Sequence, residues 1–286
     1  SNAVGAALGT ETNHTYTIQD DDSAPTVSWS GAPYSIGESG GSITITAALS
    51  QASAKTCTVD FATSDGTASS ASDYTATNAT LTWAPGESGG KTFAVPVTGD
   101  SLYEANETIN LTLSGAVNCT ISGGNPTTIT ITDNDAQPSL SINDVTVTEG
   151  NSGTTSAIFT VWLSAASGLN VTFGFTNIDN TATVAGNDYN QTNGTLTITA
   201  GQTNTTVTAL AKGDASDEMP SEKFYINLTN VVNATTNDGQ GQCTITDDDG
   251  FSAPTIANSS ADNITTNSAY MNGNLTSTGG LPTTVW

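Results

Sequence analysis

The sequence predicts an all-β protein, two antiparallel sandwiches in tandem, and three observations carry that reading. Threonine makes up about one residue in five, and its branched side chain favours strands. Apolar residues alternate with Thr and Ser at a period of two, which puts one face of each segment in a core and the other in water. The landmarks of residues 24–135 recur in the same order in residues 136–249. That spacing is too long for a solenoid unit and suits a whole sandwich domain. The length of 286 residues agrees with two domains, and no segment has a helical period.

The elements follow in chain order. Ser1-Asn2-Ala3 reads as what tag cleavage leaves behind and stands outside the fold. Residues 4–22 read as the last strand of a truncated preceding repeat, with Thr15-Tyr16-Thr17-Ile18 running into Asp20-Asp21-Asp22. A strand without its native neighbours seeks another edge, so this fragment is expected to pair with the first complete repeat or with a neighbouring chain. In the first repeat Ile43, Ile45, Ala47 and Leu49 alternate, as do Phe93, Val95 and Val97, then Ile109, Leu111 and Leu113. The strand Thr128-Ile129-Thr130-Ile131-Thr132 ends on Asp133-Asn134-Asp135. In the second repeat Ile158, Val161 and Leu163 mark a strand of looser alternation, and Val207, Ala209 and Ala211 a regular one. Cys243-Thr244-Ile245-Thr246 ends on Asp247-Asp248-Asp249. The three acidic triplets start at Asp20, Asp133 and Asp247, 113 and 114 residues apart. Residues 250–286 open a further, truncated β domain, in which Ser268–Leu275 alternates as a strand.

Composition excludes several functions. The formal net charge is -23, and the four basic side chains are Lys55, Lys91, Lys212 and Lys223, with no arginine. Phosphate neutralisation and polybasic docking to anionic lipid both need clustered basic residues. No apolar run approaches the ~20 residues of a spanning helix, so no direct membrane insertion is expected. The only histidine, His14, lies outside both complete repeats, and no Ser/His/Asp set can be built within either. Paired carboxylates would suffice for a glycosidase, yet acids copied in both repeats fit an ion site better, and no enzyme is expected. Trp29, Trp83, Trp162 and Tyr103 would stack on a sugar ring or serve as core and sheet-surface residues; the strand positions of Trp83 and Trp162 favour the second reading. The three cysteines leave two readings: a Cys57–Cys119 disulfide, or small buried thiols on strands, the commoner fate.

The acids recur at equivalent places. Glu38 before Ser39-Gly40-Gly41 matches Glu149; Ser72-Asp73-Tyr74 matches Asn187-Asp188-Tyr189; Gly99-Asp100 followed by Glu104 matches Gly213-Asp214 followed by Glu218. Alternate loops of a sandwich gather at one end, so these acids are expected to share a small volume. Two like charges about 4 Å apart repel by roughly 4 kcal/mol at an effective dielectric of about 20. With no basic residue to offset that cost, a cation is the expected partner. Oxygen donors without His or Cys suit a hard ion, and irregular loops suit Ca²⁺ better than Mg²⁺.

Read as an ordered series, Val59-Asp60-Phe61-Ala62-Thr63-Ser64-Asp65-Gly66-Thr67-Ala68, Ser72-Asp73-Tyr74, Leu81-Thr82-Trp83-Ala84-Pro85-Gly86-Glu87, Lys91-Thr92-Phe93, Gly99-Asp100…Glu104…Glu107-Thr108 and Thr130-Ile131-Thr132-Asp133-Asn134-Asp135 resembles a Calx-β domain. That family includes calcium-sensor domains of sodium/calcium exchangers and bacterial surface-protein repeats. The resemblance implies an immunoglobulin-like sandwich with calcium held in loops at one end. It also implies a ligand set: Glu38, Asp73, Asp100, Glu104, Glu107, Asp133 and Asp135 in the first repeat. In the second it implies Glu149, Asp188, Asp214, Glu218, Glu222, Asp247, Asp248 and Asp249. Asn134 stands where the first triplet would carry its middle aspartate, and Asp100 is single after Gly99; both departures weigh against several ions per domain.

The expected function is therefore a calcium-binding, non-enzymatic structural or adhesive module of a large secreted or cell-surface protein. The short linkers before Pro25 and Pro138 restrict the chain, so calcium beside them is expected to stiffen the interdomain joint. The competing reading is a calcium-independent spacer, or a stalk that binds a protein or carbohydrate ligand.

Overall fold

A computed structural model describes residues 13, 15–19, 21–39, 41–216, 218 and 221–250, and the backbone of 255–262 and 270–277. The described chain is all-β, and no described helix is long and apolar enough to cross a membrane. It divides into two compact units. The first comprises residues 1–100 and 106–132, the second residues 101–105 and 133–286.

The first unit holds nine strands: β1 (Thr26–Ser30), β2 (Tyr34–Gly37), β3 (Gly41–Leu49), β4 (Cys57–Asp65), β5 (Asn78–Trp83), β6 (Gly89–Val97), β7 (Glu107–Val117), β8 (Thr120–Ile121) and β9 (Thr127–Thr132). They form a sheet of order β6-β3-β1-β8 and a sheet of order β2-β9-β7-β4-β5. One sequence segment thus serves both sheets. β1 pairs antiparallel with β3, and after a turn at Gly31 β2 pairs parallel with β9.

The second unit repeats this plan with β10 (Ser139–Ile142), β11 (Val145–Thr148), β12 (Gly153–Leu163), β13 (Val171–Asp179), β14 (Asn193–Ile198), β15 (Asn204–Gly213), β16 (Glu222–Val232), β17 (Thr235–Thr236) and β18 (Gln240–Thr246). Its sheets run β15-β12-β10-β17 and β11-β18-β16-β13-β14. Even the irregularity between β4 and β7, at Thr58/Asp60, recurs between β13 and β16, at Thr172/Gly174. After β18, β19 (Thr255–Asp262) and β20 (Tyr270–Ser277) form an antiparallel pair.

The alternation translates into burial. Ile45, Ala47 and Leu49 of β3, Val95 and Val97 of β6, and Ile109, Leu111 and Leu113 of β7 are buried. Trp83 is wholly enclosed, and its indole Nε1–H donates to Gly89 O at 2.9 Å, which satisfies the one polar group such a residue carries into a core. Trp162 instead lies on a sheet surface. In β12 the buried set is Ala157, Phe159, Val161 and Leu163, while Ile158 faces water at 54% exposure. Of the loosely alternating set Ile158, Val161 and Leu163, the odd positions point inward, and Ile158 shares the outer face with Trp162.

Thr15–Gln19 carries no strand pairing, and Tyr16 and Ile18 are 90% and 94% exposed. Asp20 and His14 lie outside the described residues. All three cysteines are free and buried, which matches the commoner of the two readings. Burial pushes the Cys243 thiol up to about 12.

Candidate metal centre

The second unit gathers carboxylates from four segments. Asp188 lies in the loop between β13 and β14, Asp214 and Glu218 follow β15, Glu222 opens β16, and Asp247–Asp249 follow β18. Glu149 directly follows β11 and is 4% exposed. Carboxylate oxygens of Asp188, Glu218 and Glu222 all lie within 4.8 Å of one another.

Local hydrogen bonds fix each of these loops. Asp188 Oδ2 accepts the Thr183 N–H at 2.6 Å, and its backbone is held by Lys212 N–H on its carbonyl at 2.8 Å. Tyr189 fills the core beside it, stacked on Phe224 with centroids 4.3 Å apart, and its hydroxyl donates to Asp179 Oδ1. Asp247 accepts from Glu218 N at 2.9 Å and Asp249 N at 2.8 Å, so two segments fold around one side chain. Asp248 turns to the Gly150 N–H at 2.9 Å, Asp249 accepts from the Asn151 amide, and Asp214 accepts from Ser216 N at 2.7 Å.

The electrostatics are one-sided. Glu149 is pushed up to about 7, first by burial and then by the charges of Glu218, Asp247, Asp214 and Asp249. Glu222 is also pushed up to about 7, by burial, by Asp188 and then by Glu218. Glu218 is raised by burial and by Asp188, Asp214, Asp247 and Asp249. Lys212, the nearby ammonium, donates to the Asn187 amide oxygen at 2.7 Å. Glu222 Oε2 and Asp249 Oδ2 are buried with no hydrogen-bond partner, a costly state for a carboxylate. Such an arrangement can hold protons or a hard cation through oxygen donors alone.

In the first unit Glu38 is buried, its N–H is held by Thr132 O at 3.1 Å, and its carboxylate lies within 4.8 Å of that of Asp100. Asp73 Oδ2 accepts the Ser69 N–H at 2.7 Å, repeating the Asp188 arrangement. Glu107 opens β7 and is half-buried. The remaining expected ligands of the first repeat fall in the second unit. Glu104 there lies against Gly168, and the Asp135 N–H meets Asp133 Oδ1 at 3.3 Å.

The glycine of each Gly-Asp pair has a steric reason. A Cβ on Gly213 would sit 1.8 Å from Gly150 O and 2.8 Å from Glu149 O, and one on Gly99 would sit 2.3 Å from Glu38 O. The backbone before Asp214 thus passes directly over the one that carries Glu149. Gly213→Ala is expected to force these strands apart and cost about 1–3 kcal/mol, read as a lower urea midpoint; an unchanged midpoint would show that the two backbones part freely.

Sequence reasoning passed over Asp65 and Asp179. Asp65 Oδ1 accepts the Tyr74 hydroxyl at 2.7 Å and the Ser70 N–H at 2.9 Å, and Asp179 receives the Tyr189 hydroxyl and the Val184 N–H. These contacts hold the Asp65 carboxyl below its usual range, the Tyr74 bond foremost, while burial and that bond push Tyr74 up to about 12. They anchor the loops that carry Asp73 and Asp188. Their recurrence at the ends of β4 and β13 was the signal available.

Both units are therefore β-sandwich modules with acidic residues on the loops, copied one from the other. The Calx-beta domain model matches residues 20–136 and 133–249, and the chain belongs to that family of calcium-binding domains. No curated protein matches the chain. Among solved structures, CBD12 from CALX1.2 is 18% identical, with 72% of this chain and 80% of that chain covered and a TM-score of 0.38. The apo-form Calx CBD1 domain is 21% identical over 40% of this chain and 100% of that chain, TM-score 0.38. The calcium binding domain CBD12 of CALX1.1 is 14% identical over 77% and 99%, TM-score 0.38.

Proposed function

We propose that the second repeat binds Ca²⁺ through Glu149, Asp188, Asp214, Glu218, Glu222, Asp247 and Asp249, and that Asp248 positions the loop through Gly150. The observation that carries this is the buried carboxylate group whose perturbing neighbours are all negative. A bound divalent ion supplies the missing positive charge. Ca²⁺ accepts six to eight oxygens in irregular geometry, whereas Mg²⁺ asks for a tight octahedron. In the first repeat Glu38 and Asp100 stand where Glu149 and Asp214 do in the second.

On this reading the chain is a non-enzymatic structural or adhesive module of a larger secreted or surface-attached protein. The Thr-, Ser-, Asn- and Gly-rich sequence with four basic residues supports an extracellular address. The short Pro-restricted linker at Asp135-Ala136-Gln137-Pro138 supports a joint stiffened by calcium. Calorimetric titration tests the ion site. Wild type is expected to bind Ca²⁺, and Glu149→Ala with Glu38→Ala is expected to lose at least tenfold in affinity. Absence of heat at millimolar Ca²⁺, confirmed by an unchanged melting curve, would overturn the proposal.

A further inference from the structure

Two cysteines of the first unit lie where the start of β4 meets the segment between β7 and β8. Cys57 opens β4, and Cys119 immediately precedes β8. Both are buried and belong to one apolar cluster with Val59, Trp83 and Leu113. Each thiol reaches the backbone beside the other cysteine: Cys57 Sγ donates to Asn118 O at 3.3 Å, and Cys119 Sγ donates to Thr58 O at 3.5 Å. Asn118, in the left-handed region at φ 56, ties the two segments together through its amide on Thr56 O at 2.9 Å. Burial, followed by the neighbouring Cys57, raises the Cys119 thiol.

The second repeat provides an internal control. Val171 opens β13 as Cys57 opens β4, and Ala234 precedes β17 as Cys119 precedes β8; both are buried. The two positions therefore hold cysteine together in one repeat and apolar residues together in the other. Cys243 differs, because it sits alone in β18 where Ile129 stands in β9, a plain core position.

We propose that Cys57 and Cys119 form a disulfide that ties β4 to the segment entering β8 when the chain folds in the presence of a disulfide oxidant. Cys119 lines an open cleft of about 850 Å³ with Lys55 and Asn118, so it is the sulfur an oxidant meets first. With oxidised glutathione, the Cys119 thiolate attacks one sulfur and expels one glutathione. The Cys57 thiolate then attacks the Cys119 sulfur of the mixed disulfide, and the second glutathione leaves. The Cys57–Cys119 bond forms, the glutathione disulfide gains the two electrons, and the two protons end on the glutathione thiols. A buried, raised thiol is a poor nucleophile, so closure is fast during folding and slow in the native protein.

The full chain is reduced, unfolded and refolded in a glutathione redox buffer, then denatured and alkylated. The expected product carries one alkylated cysteine, Cys243, and yields a linked pair of peptides bearing Cys57 and Cys119. Its first melting transition lies about 10 °C above that of the reduced protein. The double variant Cys57→Val with Cys119→Ala, which copies the second repeat, is expected to fold and to melt alike in oxidising and reducing buffer. Three alkylated thiols, a linked peptide containing Cys243, or a redox-dependent shift that survives in the double variant would each overturn the proposal.

Discussion

Calcium at about one hundred times its dissociation constant is expected to raise the melting temperature of the second repeat by roughly 10–20 °C. An ion that binds only the folded state at that excess adds about 2.7 kcal/mol, and each kcal/mol moves a domain of ~100 residues by about 4–8 °C. The physical source is the repulsion already present. Glu149, Glu218 and Glu222 are each raised by burial and by other carboxylates, so on the proposed reading the metal-free fold carries a repulsion that a bound divalent ion would offset. The variant Glu222→Gln separates this account from a simple loss of structure. It keeps the shape of the side chain while deleting one charge, so the metal-free protein is expected to melt higher than wild type and the gain from calcium to shrink. Scanning calorimetry with chelator and with millimolar Ca²⁺ reads both numbers. A wild-type transition indifferent to calcium, or a Gln variant that melts lower without it, would contradict the ion site.

The sandwich plan was legible because its signal is periodic and its landmarks are copied. Thr46 separates Ile45 from Ala47, and Asn110 and Thr112 separate Ile109, Leu111 and Leu113, so the buried face announces itself. β12 has no such contrast. Ala157-Ile158-Phe159-Thr160-Val161-Trp162-Leu163 is apolar on both faces, and only pairing with β15 and packing against the opposite sheet decide that Phe159 goes in and Ile158 out. Thr15–Ile18 shows the converse failure. Its alternation is clear, yet Tyr16 and Ile18 stay exposed, because alternation alone makes no strand without a neighbouring edge. At the candidate site the acids of the Asp-Tyr, Gly-Asp and terminal-triplet motifs stood out by recurrence. Their division of labour did not. Asp248 looks identical to Asp247 and Asp249 in the sequence, but it is spent on the Gly150 N–H. Asp65 and Asp179 look like ordinary strand ends until the fold brings a tyrosine hydroxyl from nine and ten residues away.

Without calcium, the second repeat is expected to lose stability as pH rises from about 5 to about 8, the reverse of a domain held by salt-bridged carboxylates. Glu149 and Glu222 lie at about 7 in the folded state against an ordinary 4.5. Between those values the folded chain binds more protons than the unfolded one, so the slope of stability with pH is negative. The contribution is fully present below the ordinary value and is gone once pH has passed the folded value. For Glu149 alone it is about 3 kcal/mol. Protons and calcium then compete for the same oxygens. The apparent calcium affinity is expected to climb with pH up to the raised value, and binding near pH ~6.5 to release protons. Titrations in two buffers of different ionisation heat measure that release directly, and chelator-treated melting curves across the same range measure the slope. A metal-free melting temperature that climbs steadily with pH would mean that these carboxylates are ionised and comfortable without a cation. Were the slope negative but calcium unable to reverse it, the carboxylates would be a proton-holding cluster rather than an ion site, so the two measurements together decide between the two uses of the same buried charge.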